Sequence, residues 1–178
     1  MTRAVSTVVG GFMRYALIPA GVVLIGSLAC SDDQATAPPS GATNSPGGWI
    51  SATADGEPFI SSFVTVRRHD GVIALEGTTW TDAESMLTIR LFIRTDAGPG
   101  DQSIGSSSNT AADVMYRPGY AEPQGWTASG PNGSGTLTLS TLTDNRATGT
   151  FSFTATAVML STSPPTYRVT NGYFDVRF

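Results

Sequence analysis

From Trp49 to the last residue, apolar side chains recur at every second position, and this period of two admits strands and excludes amphipathic helices. In Leu87-Thr-Ile-Arg-Leu-Phe-Ile-Arg94, Leu87, Ile89, Leu91 and Ile93 share one face, and Thr88, Arg90, Phe92 and Arg94 the other. Thr150-Phe-Ser-Phe-Thr-Ala-Thr-Ala157 sets Phe151, Phe153, Ala155 and Ala157 against hydroxyl residues. Gly135-Thr-Leu-Thr-Leu-Ser140 repeats the pattern, and at the end Phe174, Val176 and Phe178 alternate with Tyr173, Asp175 and Arg177. One apolar and one wet face per strand predicts antiparallel sheet.

Turn residues fall between these runs. Asp55-Gly56 and Asp70-Gly71 are two-residue corners, and Asp144-Asn145-Arg146 is a third corner. Aspartate and asparagine tolerate positive φ and glycine adopts it freely, which suits tight hairpins. Asn171-Gly172 reads as a bulge in one long last strand in preference to another turn. Serine and threonine supply 34 of the 130 residues from 49 onward, and threonine suits the solvent face of a strand. The expectation is an all-β domain, an antiparallel β-sandwich or flattened up-and-down β-barrel of about eight strands. Two stretches interrupt the meander and read as irregular: residues 96–109 and 116–135.

The first part of the 178-residue chain is of another kind. Arg3 and Arg14 precede the uncharged, mostly apolar run Tyr15-Ala-Leu-Ile-Pro-Ala-Gly-Val-Val-Leu-Ile-Gly-Ser-Leu-Ala29. Its fifteen residues, with Pro19 among them, are short for a spanning helix, which needs about 20. A positive flank, a short apolar core and small residues at its end mark a secretory signal. The run closes on Gly26-Ser-Leu-Ala-Cys30, which resembles the lipobox of bacterial lipoproteins, where a cysteine receives diacylglycerol; Ser27 departs from the usual leucine. Cys30 is the single cysteine, so an intramolecular disulfide is impossible. Residues 31–48 carry no aromatic and no large aliphatic side chain; they read as a flexible linker about 25 Å from end to end. The predicted organisation is therefore signal peptide 1–29, lipidated Cys30 with linker to 48, and one domain 49–178. Membrane attachment through lipid on Cys30 places the chain in the cell envelope. Ser31-Asp32-Asp33 resembles an acidic surface-export signal, which leaves open the periplasmic face of an outer membrane or the cell surface.

The order of the β pieces is similar to a family of small bacterial lipoproteins classed as a domain of unknown function. The likeness rests on Trp49-Ile-Ser-Ala52, Asp55-Gly56 and Phe59 at the start and on Gly149-Thr-Phe-Ser-Phe153 and Asn171-Gly-Tyr-Phe174 at the end. Gly98-Pro-Gly-Asp-Gln-Ser-Ile104 departs from that pattern. The resemblance implies fold and export and assigns no chemistry.

Charge narrows the functions. There is no lysine, and after the signal eight arginines face fourteen acids, a net charge of −6. Such a surface repels phosphate backbones, so no nucleic-acid partner is expected. The single histidine, His69, precedes a corner and reads as an exposed strand end, with no G-x-S-x-G elbow to accompany it. No metal or cofactor is expected: one histidine cannot build a zinc site, and Asp144-Asn145 is too sparse for calcium. Glu76 with Glu84, or Asp101 with Asp113, could form a glycosidase pair, though spacing singles out neither. The functional lead is the group Tyr116, Arg117, Tyr120, Gln124 and Trp126, whose rings could stack on a sugar or clamp a protein partner. The same rings could instead cover one end of the core. Trp80, at the end of its strand, poses the same choice. The leading expectation is a non-enzymatic binding domain. A lipocalin-like carrier of a small apolar ligand and a glycan-active hydrolase are the alternatives.

Overall fold

A computed structural model describes residues 47–105, 110–158 and 164–178. The chain divides into a unit Met1–Asp32 and a unit Asp33–Phe178, and every described residue belongs to the second. Cys30, the signal and all of the linker before Gly47 lie outside the described residues.

The second unit is all-β, with eleven strands in one antiparallel sheet and no helix among the described residues. In chain order they are β1 (Gly48–Ala54), β2 (Glu57–Ile60), β3 (Phe63–His69), β4 (Val72–Trp80), β5 (Met86–Arg94), β6 (Gly100–Gly105), β7 (Ala111–Arg117), β8 (Gln124–Ala128), β9 (Gly133–Leu142), β10 (Arg146–Ala157) and β11 (Thr166–Arg177). The alternation in the sequence decides which faces turn inward. Leu87, Ile89, Leu91 and Ile93 of β5 are buried, as are Leu137 and Leu139 of β9 and Phe151, Phe153 and Ala155 of β10. Each such aliphatic or aromatic side chain contributes about 1.5–3 kcal/mol on burial. They join Ile50, Phe59, Phe174 and others in a single core.

The main path of pairing runs β2-β1-β11-β10-β8-β7-β5-β4-β3. Its two ends are one piece of chain, because only Ser61 and Ser62 separate β2 from β3. The Ser61 amide bonds the Ile50 carbonyl of β1 at 2.9 Å, and the Ser62 amide bonds the Thr78 carbonyl of β4 at 2.7 Å. The Ser61 hydroxyl accepts from the Ile50 amide at 2.9 Å. This crossing folds the sheet back on itself, as a sandwich or flattened barrel requires. At the opposite corner the long strand β10 changes neighbour: residues 147–155 pair with β9, and Thr156 and Ala157 pair with β8. β9 in turn carries β6 on its outer side.

The corners follow their residues. Asp55 and Gly56 have φ of 51° and 92°, Asp70 and Gly71 have 47° and 76°, and each pair closes a two-residue hairpin. Asp144 and Asn145 form the third corner without positive φ; Thr143 holds it instead, its amide bonding the Arg146 carbonyl at 2.9 Å. Asn171, at φ 52°, is the extra residue of a bulge in β11 that shifts register against both β1 and β10. Across that strand pair two glycines make room for rings: Gly149 lies opposite Phe174, and Gly172 opposite Phe151. A Cβ on Gly172 would stand 2.5 Å from both the Phe151 ring and its carbonyl oxygen.

The difference from the expected eight strands lies in β6, β7 and β8. The first irregular stretch holds β6, and the second holds the end of β7, all of β8 and the start of β9. β6 has one apolar core residue, Ile104, and β8 has Trp126 and Ala128, too few to show a period. Their places are fixed by hydrogen bonding to stronger neighbours. β6 also breaks the simple up-and-down order, since β5 pairs with β7 and β6 crosses to β9.

A candidate ligand cleft at one pole of the sheet

The hairpin geometry brings a set of strand ends to one pole: the end of β1, the start of β2, the end of β4, the start of β5, the end of β7 and the starts of β8 and β11. Gly47, Asp70-Gly71 and Phe178 lie at the other pole, where the Arg177 amide bonds the Gly47 carbonyl at 3.0 Å. At the first pole a cleft of about 630 Å³ opens. That volume falls within the range of small-molecule sites.

One wall is a row across four strands. Thr79, Leu87, Tyr116 and Gln124 are successive partners on β4, β5, β7 and β8, and all four line the cleft. Direct partners in antiparallel sheet point to the same face, and Leu87 is buried, so the row faces inward. Trp126 continues it from β8, where it pairs with Val114 and Ala157. Its indole N–H donates to the Pro164 carbonyl at 2.7 Å, and its ring lies 4.7 Å from that of Tyr167 on β11, tilted by 49°. Trp80 stands at the mouth, 53% exposed. Opposite, the β1–β2 corner contributes Ala54, Asp55, Glu57 and Pro58.

Among the described residues the lining contains two carboxylates, Asp55 and Glu57, both exposed, and no arginine or histidine; Asp55 also lines a neighbouring pocket with Arg168. Glu57 pairs with Ala54 on the inward face of β2, two residues before the buried Phe59. Among the described residues neither carboxylate makes a side-chain hydrogen bond or ion pair, and neither does the Gln124 amide. The negative charge is felt inside: burial first, then Asp55 and Tyr116, push the Tyr167 phenol up to about 12.

Of the residues singled out from sequence, Tyr116, Gln124 and Trp126 meet in this cleft, together with Trp80. They are not loop rings. Trp126 is a strand residue only 2% exposed, and Tyr116 is half-buried against the core, so both cover the end of the core and wall the cleft at once. Tyr120 is 97% exposed in the corner between β7 and β8 and does not line the cleft. Arg117 points elsewhere, to a shallow groove of about 260 Å³ on the outer face shared with Phe63, Glu76 and Arg90. Asp55, Glu57 and Tyr167 carried no functional signal in the sequence. Asp55 read as a corner residue, and only the meeting of β1, β8 and β11 at one pole gives it company.

The two carboxylate pairs are otherwise engaged. Asp101 accepts from the Thr138 hydroxyl at 2.7 Å; Asp113 accepts from the Thr127 hydroxyl at 2.7 Å and pairs with Arg90 at 3.3 Å. Glu76 lines the outer groove, whereas Glu84 lies in the β4–β5 corner near Gly119. His69 is exposed beside Asp70, its Nδ1 3.2 Å from that carboxylate. Among the described residues no three His, Cys, Asp or Glu side chains gather as a metal site would need.

Fold and cleft define a class in structural terms: an antiparallel β domain whose two halves share one core and whose end opens into an aromatic-walled, acid-lined cleft. No protein-family model, curated protein or solved structure matches the chain.

Proposed function

We propose that this is an exported, lipid-anchored binding protein of the cell envelope, non-enzymatic, with the polar cleft as its binding site. One observation carries the binding part: a cleft of about 630 Å³ at one pole gathers Trp80, Tyr116, Trp126 and Tyr167 with the half-buried Gln124 and the exposed carboxylates of Asp55 and Glu57. A concave site lined by rings with a few polar groups is the usual form of a small-molecule site. The export part rests on the Arg-flanked apolar run and Cys30, and the likeness to small bacterial lipoproteins belongs to the same reading. A cleft at the sheet's end, with Phe151, Phe153, Leu87 and Leu91 buried in the core, favours end-on capture over carriage in a central cavity.

Two measurements test it. Mass spectrometry of protein recovered from cells should find an acylated Cys30 as the first residue; an unmodified thiol, or a retained leader, refutes the anchor. A fragment library screened by protein-observed NMR should shift amides of Asp55, Thr81, Gln124 and Tyr167 together. Hits scattered over the surface, or none, refute the cleft as a site.

A further inference from the structure

We propose that the ligand of this cleft presents a small, permanently charged alkylammonium group. The inference rests on the cleft being the binding site and adds the chemistry of what enters it. Three observations support it together. Four rings line it: Trp80 at the mouth, Tyr116 on the wall, and Trp126 and Tyr167 packed 4.7 Å from one another. A cation is drawn to the faces of such rings, and more strongly as it loses water. The charged groups that line the cleft are both acidic: Asp55 and Glu57 are exposed and make no ion pair among the described residues, and Arg168 flanks Asp55 only from a neighbouring pocket. A positively charged group is attracted by both carboxylates, whereas an anion is repelled and a neutral sugar gains nothing from their charge. The Trp126 N–H is already committed to Pro164. An alkylammonium needs no directional partners, only rings and negative charge.

Burial first, and then Asp55, push the Tyr167 phenol up, in keeping with Asp55 and Tyr167 lining the same cleft. The rest of the chain adds to this. With a net charge of −6 after the signal, the surface concentrates cations near the mouth and repels anions.

The test compares choline with its neutral isostere 3,3-dimethylbutan-1-ol, in which a carbon replaces the charged nitrogen, by calorimetric titration of the full-length protein in non-ionic detergent. Choline should bind at least about tenfold more tightly than the alcohol, since ring and carboxylate attraction both vanish with the charge. Asp55→Asn and Glu57→Gln should each weaken choline by about two- to fivefold, as one charge is lost from a solvent-exposed position, without lowering the melting temperature. Asparagine tolerates the positive φ at position 55, so the corner survives. Equal binding of the two ligands, or no effect of either variant, overturns the inference and leaves an apolar binding cleft. Glucose binding without choline binding overturns it too and points to glycans. If choline, the alcohol, glucose and the fragment library all fail to engage the cleft, both this inference and the cleft reading are refuted.

Discussion

Trp126 and Trp80 line the same cleft, yet their removal should have opposite consequences. Trp126 is 2% exposed, packs 4.7 Å from Tyr167 and donates a 2.7 Å hydrogen bond to Pro164. Truncating such a ring to alanine costs about 3–5 kcal/mol in lost burial and cavity. The aromatic pair adds about 0.5–1.5 kcal/mol. The hydrogen bond adds little, because Pro164 is exposed and water can take its carbonyl. Trp126→Ala should therefore lose about 4 kcal/mol. Trp80, 53% exposed at a strand end, should lose less than about 1 kcal/mol on the same change. A domain of this size has roughly 6–15 kcal/mol in total, so both variants fold. With a urea slope of about 2 kcal/mol per molar, the Trp126→Ala midpoint should fall by about 2 M and the Trp80→Ala midpoint by less than about 0.5 M. Far-UV circular dichroism follows the transition without relying on either tryptophan. If Trp126→Ala shifts the midpoint by less than Trp80→Ala does, the assignment of one ring to the core and the other to the mouth is wrong. The same contrast makes Trp80→Ala the variant for binding work, because its loss of ligand cannot be blamed on unfolding.

Two further outcomes follow from particular contacts. Gly172→Ala places a methyl 2.5 Å from the Phe151 carbonyl, which cannot rotate away, and should cost about 1–3 kcal/mol by urea denaturation; Gly56→Ala, with nothing within 4 Å and φ 92°, should cost about 1–2 kcal/mol from backbone strain alone. A neutral Gly172→Ala would mean that the Phe151–Gly172 approach is looser than described. In alkaline titration followed by phenolate absorbance, one tyrosine should ionise at about 12, and Tyr167→Phe should remove it. The folded phenol holds its proton more tightly than the unfolded one, so the stability it brings is full below about pH 10 and is lost as pH rises toward 12. An alkaline stability profile unchanged by Tyr167→Phe would contradict the burial that raises it.

How much of this was legible in the sequence depended on how many side chains in a strand face the core. β5 shows its period because all four of its inward residues are large and apolar, and the Asp-Gly corners announce themselves because few other pairs adopt two positive φ values. The bulge at Asn171 was readable for the same reason. β6 was not, because Gly100, Asp101, Gln102 and Ser103 reveal no face, and the strand exists by pairing with β9. β8 sits between prolines and glycines, so Trp126 looked like a loop ring when it is a core residue. The cleft was half legible. Its rings carry a signal by type, but its acids gain meaning only when distant strand ends meet at one pole.

The Ser61–Ser62 crossing has a consequence for self-association. By turning one continuous segment into both ends of the main pairing path, it leaves only short runs of unpaired backbone, and each is guarded. β2 is four residues long and contains Pro58, β3 carries exposed Arg67 and Arg68, and β6 opens with Gly100 and Asp101. Proline withholds a donor, and charge resists being zipped against a second copy. At high local concentration a sheet with a long bare rim would polymerise there. Among the described residues this sheet offers a second copy no long unguarded strand to extend.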